Sequence, residues 1–255
     1  MTSKIIQITD THLFEDPAVE LLEVCTNKRF ESVLSHVNQH HSDADLMVIS
    51  GDLVHDDGAA YQRLHGLLSD WHDRLQVIPG NHDVREALTD VFQCQTRLDD
   101  QHITFDIQHG DWRIIGLDTL IAGRVEGDID DAQWDWLENI LVAAGDRPTA
   151  IFMHHPPVIV GSQWVDKLGL ISFERFNVVV EENPQIKLVI CGHIHQEYSQ
   201  PLGQAVLYTT PSTSVQFLPG ATEFTTDSID PGYRTITIEN DGGFVTEVFR
   251  VANAD

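Results

Sequence analysis

Five short apolar runs in this chain each stop at side chains that can hold a metal ion or move a proton. Lys4–Thr9 (KIIQIT) leads to Asp10 and His12. Leu46–Ser50 (LMVIS) leads through Gly51 to Asp52. Leu75–Pro79 (LQVIP) leads through Gly80 to Asn81 and His82. Ala150–Met153 (AIFM) leads to His154 and His155, and Leu188–Cys191 (LVIC) leads through Gly192 to His193 and His195. Taken singly, each signal is weak: an Asp after a strand suits a turn, and an Asn suits a left-handed position. Five coincidences of the same kind are another matter. Carboxylate, imidazole and one amide oxygen form a donor set for manganese, iron or zinc. The set is too large for one tetrahedral zinc. It suits two ions that share a carboxylate, and a pair about 3.5–4 Å apart is the arrangement that clamps phosphoryl displacement.

The runs themselves must position these groups. Each is about strand length and almost continuously apolar, as in a sheet covered on both faces. Functional side chains of open α/β sheets gather beyond the carboxyl ends of the strands. The helical spacing of Phe30, Val33, Leu34 and Val37 predicts a helix over Lys28–His40. Asp130–Ala144 starts with acidic residues and stops before Gly145, as a capped helix does. Phe173–Glu182 is a third helix candidate. His102–Ile107 and Trp112–Asp118 read as a hairpin around Gly110, and Ala205–Thr209, Arg234–Glu239 and Phe244–Arg250 as further strands. The pattern predicts one α/β domain over residues 1–255, a mixed sheet system flanked by helices. If the backbone stays extended after Cys191, His193 and His195 project on one side, while the neighbours His154 and His155 point oppositely.

Composition bounds the function classes. The chain carries 15 basic and 40 acidic residues, a net charge of −25. Such a surface repels the nucleic-acid backbone and points away from a polymer partner. No apolar run approaches the roughly 18 residues of a membrane helix, and the first residues, MTSKIIQITD, carry no secretory pattern. The cysteines Cys25, Cys94 and Cys191 suggest neither a disulfide framework nor a zinc ribbon. Cys191 sits inside an apolar run and reads as packed rather than ligating. A reduced cytoplasm is the expected location.

The motifs "DTH", "GD", "GNHD", "HHPP" and "GHIH", in that order between Asp10 and His195, resemble the calcineurin-like metallophosphoesterase superfamily. The resemblance implies a four-layer α/β/β/α sandwich with two mixed sheets and a dinuclear site at the strand ends. It also implies the roles. Asp10, His12 and His195 would bind the first metal, Asp52 would bridge, and Asn81, His154 and His193 would complete the second. His82 would not be a ligand but would face the phosphate and serve as general acid, with Asn81 and His12 also near substrate. Of the pair His154-His155, the pattern favours the first. The opening QITDTHLF, the motif CGHIHQE and the stretch Thr210–Ile238 are similar to the bacterial cyclic-AMP phosphodiesterases of the CpdA/Icc type. That likeness implies hydrolysis of 3′,5′-cyclic AMP to 5′-AMP by a metal-bridging hydroxide, with iron or manganese as the expected metals and a small cyclic nucleotide as the partner. Other phosphodiesterases and phosphomonoesterases of the superfamily are the alternative. The role of His55, three residues beyond Asp52, stays open between surface and metal-supporting positions.

Overall fold

The computed structural model describes residues 2–92 and 101–252. Cys94 therefore lies outside the described residues, and Cys25 and Cys191 are free thiols. In chain order the elements are β1 (Thr2–Ile8), α1 (Thr26–His40), β2 (Leu46–Ser50), α2 (Ala60–Leu67), β3 (Leu75–Ile78) and α3 (Arg85–Val91). They continue with β4 (Phe105–His109), β5 (Trp112–Gly116), α4 (Asp131–Ala144), β6 (Thr149–Phe152), α5 (Phe173–Glu182) and β7 (Ile186–Cys191). The last are β8 (Tyr198–Leu202), β9 (Ala205–Thr209), the two-residue β10 (Gln216–Phe217) and β11 (Thr226–Asp227), β12 (Gly232–Glu239) and β13 (Phe244–Arg250).

All five apolar runs are strands, divided between two mixed sheets. One sheet has the order β13-β12-β1-β2-β3, the other β4-β5-β6-β7-β9-β8. β1, β2 and β3 run parallel, and β12 closes on β1 antiparallel from Thr2↔Glu239 to Gln7↔Arg234. β5, β6, β7 and β9 run parallel, and the edges β4 and β8 are antiparallel. Three apolar clusters define the layers. Ile5, Val48 and Ile236 of the first sheet meet Ile114, Phe152 and Ile190 of the second in a central core. Ile6, Ile8 and Met47 pack outward on Phe30, Val33 and Val37 of α1. Ile151, Val189 and Leu207 pack outward on Trp134 and Leu137 of α4 and Phe176 and Val180 of α5. The strands between the layers are buried on both faces, and burial of each large aliphatic side chain stabilises the fold by about 1.5–3 kcal/mol. This is the expected α/β/β/α stack. Among the described residues no helix is long and apolar enough to cross a membrane.

Helix signals held well. The Asp130 side chain accepts from the Gln133 amide at 2.9 Å, and Gly145 ends α4 at φ 58°. α5 spans Phe173–Glu182 as the pattern predicts, and α1 starts two residues early, at Thr26. The first hairpin strand starts at Phe105 rather than His102, because His102 is drawn to Asp130 at 2.9 Å. The sequence pattern does not predict α2, α3, β8, β10 or β11: α2 and α3 are two turns each, β10 and β11 have two residues each, and β8 contains Pro201, which a sheet edge tolerates.

Candidate metal centre

Strand ends place the candidate ligands, and left-handed backbone turns them inward. Asp10, His12, Asp52, His193 and His195 all have positive φ, between 46° and 69°. A residue other than glycine costs roughly 1–2 kcal/mol in that conformation, so the surrounding structure must hold it there. It does so through the backbone: the Asp10 amide donates to Gly51 O and the His12 amide to Asp52 O, both at 3.0 Å. The expected extended segment at His193 and His195 is therefore corrected to a tight left-handed loop, with Ile194 N donating to Gly192 O at 2.8 Å. The loop sends the two imidazoles to different neighbours. His195 joins Asp10 and His12, while His193 joins His154, their rings 5.2 Å apart.

The groups converge on two carboxylates. Asp10 Oδ1 lies 3.1 Å from His195 Nε2 and 3.8 Å from His154 Nε2. Asp52 Oδ2 lies 3.3 Å from His154 Nε2 and 3.6 Å from His12 Nε2. Asp52 thus touches both halves of the cluster. Tautomers follow from the other ring nitrogens. His154 Nδ1 faces Ser50 O at 2.9 Å and His195 Nδ1 faces Val215 O at 2.6 Å. A carbonyl only accepts, so both Nδ1 atoms donate and both Nε2 atoms turn lone pairs toward carboxylate oxygens. Such facing lone pairs need a proton or a cation between them. Ligands at about 2.0–2.2 Å from one ion stand roughly 3–3.5 Å from each other, close to the separations seen. Three atoms of the cluster, His154 Nε2 among them with His193 Nε2 and Asn81 Oδ1, are buried with no hydrogen-bond partner. Buried polar atoms of this kind call for an explanation, and two oxygen- and nitrogen-liganded ions would provide it.

His155 is different. Its Nε2 donates to Val125 O at 3.0 Å and its Nδ1 accepts from the Thr119 hydroxyl at 2.7 Å, so no lone pair is left over. Its neighbour His154 is the member of the pair with a nitrogen to offer.

Electrostatics show the same demand for positive charge. Burial pushes the Asp10 carboxyl up, but His195 and His154 outweigh it and hold it near about 2. Burial pushes His154 down, but Asp52 and Asp10 carry it up to about 9. Burial and the neighbouring His154 lower His193 to about 3. Burial also drives His12 well below its usual range, against the pull of Asp52.

Around this cluster lie residues that the sequence pattern left unassigned. His55 Nδ1 is 3.0 Å from His12 Nδ1, and its ring stacks on His82 at 4.3 Å. His82 Nδ1 meets the Asp56 carboxylate at 3.2 Å, and the His82 amide donates to Asp52 Oδ1 at 2.8 Å. Asp83 ties two loops together, accepting from the amides of Leu53, Val54 and Gly80 and from the Tyr61 hydroxyl. Burial and the charge of Asp52 push its carboxyl up to about 7. Ser212 and Ser214 donate their hydroxyls to Asp10 O at 2.7 and 2.9 Å, and Phe217 stacks on His195 at 4.1 Å with the planes 6° apart. The Thr210–Ile238 stretch thus buttresses the cluster directly. His12, Asp52, Asn81, His82, His193 and His195 all line one cleft of about 210 Å³.

Residues 3–197 match the calcineurin-like phosphoesterase family. The 3′,5′-cyclic adenosine monophosphate phosphodiesterase CpdA of Escherichia coli (strain K12) is 36% identical over 251 residues, covering 98% of this chain and 90% of that one. The protein of the same name from Pseudomonas aeruginosa is 34% identical, covering 97% and 89%. Among solved structures, the purple acid phosphatase PPD1 from yellow lupin seeds superposes with a TM-score of 0.77 at 12% identity, covering 99% of this chain and 53% of that chain. A dimetal phosphatase from Danio rerio superposes at 0.67 with 13% identity, covering 98% and 99%. These two carry the fold alone. The family match takes in the whole span from Asp10 to His195 over which the cluster is assembled, and the chain belongs to the calcineurin-like phosphoesterase family.

Proposed function

We propose that this chain hydrolyses 3′,5′-cyclic AMP to 5′-AMP at a two-metal centre. The reading rests on one observation above the others: a double Asp/His cluster joined at Asp52, in a chain 36% identical over nearly its full length to a curated cyclic-AMP phosphodiesterase. Asp10, His12 and His195 would hold one ion, Asn81, His154 and His193 the other, and Asp52 both. Iron and manganese suit this set, and zinc is compatible with it. When bound, the ions would supply a hydroxide nucleophile at neutral pH and spread the charge of the phosphoryl group.

The chain's own residues would do the rest. Water's oxygen joins phosphorus, the P–O3′ bond breaks, and the departing 3′-oxygen takes a proton. His82 is the donor in this reading, because an alkoxide is a poor leaving group. Asp56 engages Nδ1 and His55 stacks on the ring, which leaves Nε2 for the transfer. Asn81 and His12 lie in the same cleft, where the phosphate's non-bridging oxygens would dock. The substrate is a small cyclic nucleotide, in keeping with a net charge of −25 that disfavours polyanions. In this reading residues 1–255 act as one domain, since the central core draws on both sheets, and the enzyme works in the cytoplasm.

The test is hydrolysis of cyclic AMP by metal-stripped protein, reconstituted separately with manganese and with iron. Conversion to 5′-AMP only with metal is expected. Activity on monoesters or dinucleotides without conversion of cyclic AMP would leave the metal centre standing and discard the substrate.

A further inference from the structure

Above the metal cluster the cleft changes character. Its lip is apolar and aromatic, and Asp52 is the one carboxylate among its described lining residues. Trp164, Phe217 and Phe224 form a cluster of three rings, with centroids 5.0–5.4 Å apart and planes crossed at 68° to 78°. Phe217 is committed, since one of its faces lies on His195. Phe224 is not: it is 51% exposed. The Trp164 indole N–H is buried without a hydrogen-bond partner, so the ring meets the cleft through its carbon face and edge.

Leu22 lines the same lip and is 49% exposed. Its presence there is costly. Leu21 and Val24 exchange both backbone hydrogen bonds, at 2.9 and 3.0 Å, so Leu22 and Glu23 form a two-residue turn with φ 51° and 66°. Such a turn prefers Asn-Gly, and a bulky residue at positive φ is an outlier. An apolar side chain is thus held in a strained backbone and shown to solvent, a combination that folding alone does not favour.

We infer that this lip is a nucleobase slot, with Trp164 and Phe224 as one wall and Leu22 as the other. The inference rests on the cyclic-nucleotide reading of the metal centre and deepens it. The occupant is fixed by continuity: a substrate whose phosphate lies over His12 and Asp52 extends its other end to the lip of the same cleft. A neutral, flat, aromatic group stacks on rings with little regard for sequence-like detail.

The experiment compares cyclic AMP with ribose 3′,5′-cyclic phosphate, which lacks the base, on the metal-loaded enzyme and its Phe224→Ala and Leu22→Asn variants. The ratio of kcat/KM for the two substrates should fall about tenfold or more in each variant, the usual size of one lost base stack. Asn accepts left-handed backbone, so Leu22→Asn should melt no lower than wild type while losing the preference. In parallel, 5′-AMP should quench tryptophan fluorescence in wild type but not in Trp164→Phe, and ribose 5-phosphate should not quench either. An unchanged ratio, or equal quenching by the two ligands, overturns the slot. If wild type cleaves the base-free ester but not cyclic AMP, the substrate reading falls; AMP-specific quenching through Trp164 would still support the slot, and its absence would overturn that too.

Discussion

Gly80→Ala is the sharpest probe of how the two strand-end loops meet. Gly80 has an ordinary φ, so an added methyl carries no backbone penalty and acts only through space. A Cβ there would lie 2.3 Å from Asp52 Oδ1, 2.4 Å from the Asp52 amide nitrogen and 2.7 Å from His154 Nε2. Contacts below 3.0 Å do not occur in practice, so the loops must part by at least 0.6 Å at the backbone contact. No rotamer change relieves an amide nitrogen. Overpacking of this kind costs about 1–3 kcal/mol, which for a chain of this size lowers Tm by roughly 2–12 °C. The larger effect should fall on metal, because a ligand displaced by more than about 0.2 Å leaves its coordination range. In the proposed assignment both crowded groups belong to the second ion's set, and Asp52 to both sets. We expect Gly80→Ala to retain less than one tightly held ion per chain under conditions that saturate wild type. The assay is metal content by mass spectrometry after desalting, beside calorimetric melting of the metal-free proteins. Full occupancy with an unchanged Tm would refute the claim that Gly80 is there to keep this space open.

Other outcomes follow from the same geometry. His82→Ala should keep both ions but lose about 10²–10⁴ in kcat on cyclic AMP, and much less on p-nitrophenyl esters, whose leaving group needs no proton; equal losses would remove His82 as the acid. Tyr61→Phe strips Asp83 Oδ1 of a donor and the Val84 amide of its acceptor, so it should cost about 1–3 kcal/mol, read as a fall in the denaturation midpoint without a change of slope. The metal-free protein should lose stability on acidification. His12, His155 and His193 have depressed folded pKa values, chiefly from burial. Their contribution is present above pH 6.5 and is lost as pH falls toward about 3 for His193. Asp83, raised to about 7, acts with the opposite sign over that range. Three such histidines against one carboxylate leave a net uptake of protons on unfolding that grows toward pH 5, and a Tm that rises from pH 6.5 to 5 would contradict it. On the alkaline side, His154 gives stability that is full below 6.5 and lost as pH rises through about 9.

The candidate ligands were legible because each stands just past an apolar run, and strand ends are where local sequence and tertiary position coincide. The same holds for α4 and α5, whose caps and spacing are local. What stayed hidden depends on contacts far apart in the chain. That His155 has no lone pair to give depends on Thr119 and Val125. The support of Asp10 by Ser212 and Ser214 joins residues some 200 positions apart. His55 and Asp56 lie in a visibly rich stretch, LVHDDG, but only the folded loop shows that one meets His12 and the other His82. The left-handed turns at His193 and His195 were missed because neither histidine signals positive φ in the way glycine does.

The pairing of β1 with β12 sets an order of events on the ribosome. Every proposed ligand has been synthesised once His195 emerges, yet β1, which leads to the first of them, is then still an open sheet edge. Its outer partner, and the serines that hold Asp10 from below, come from the last fifth of the chain. Unpaired edges of this kind invite association with other chains. The nascent protein must therefore pass through a stage that carries a full complement of ligands on an unfinished scaffold. Ion uptake should lag behind release of the C-terminal strands, so that the choice of metal falls to the completed protein and to whatever ions surround it then.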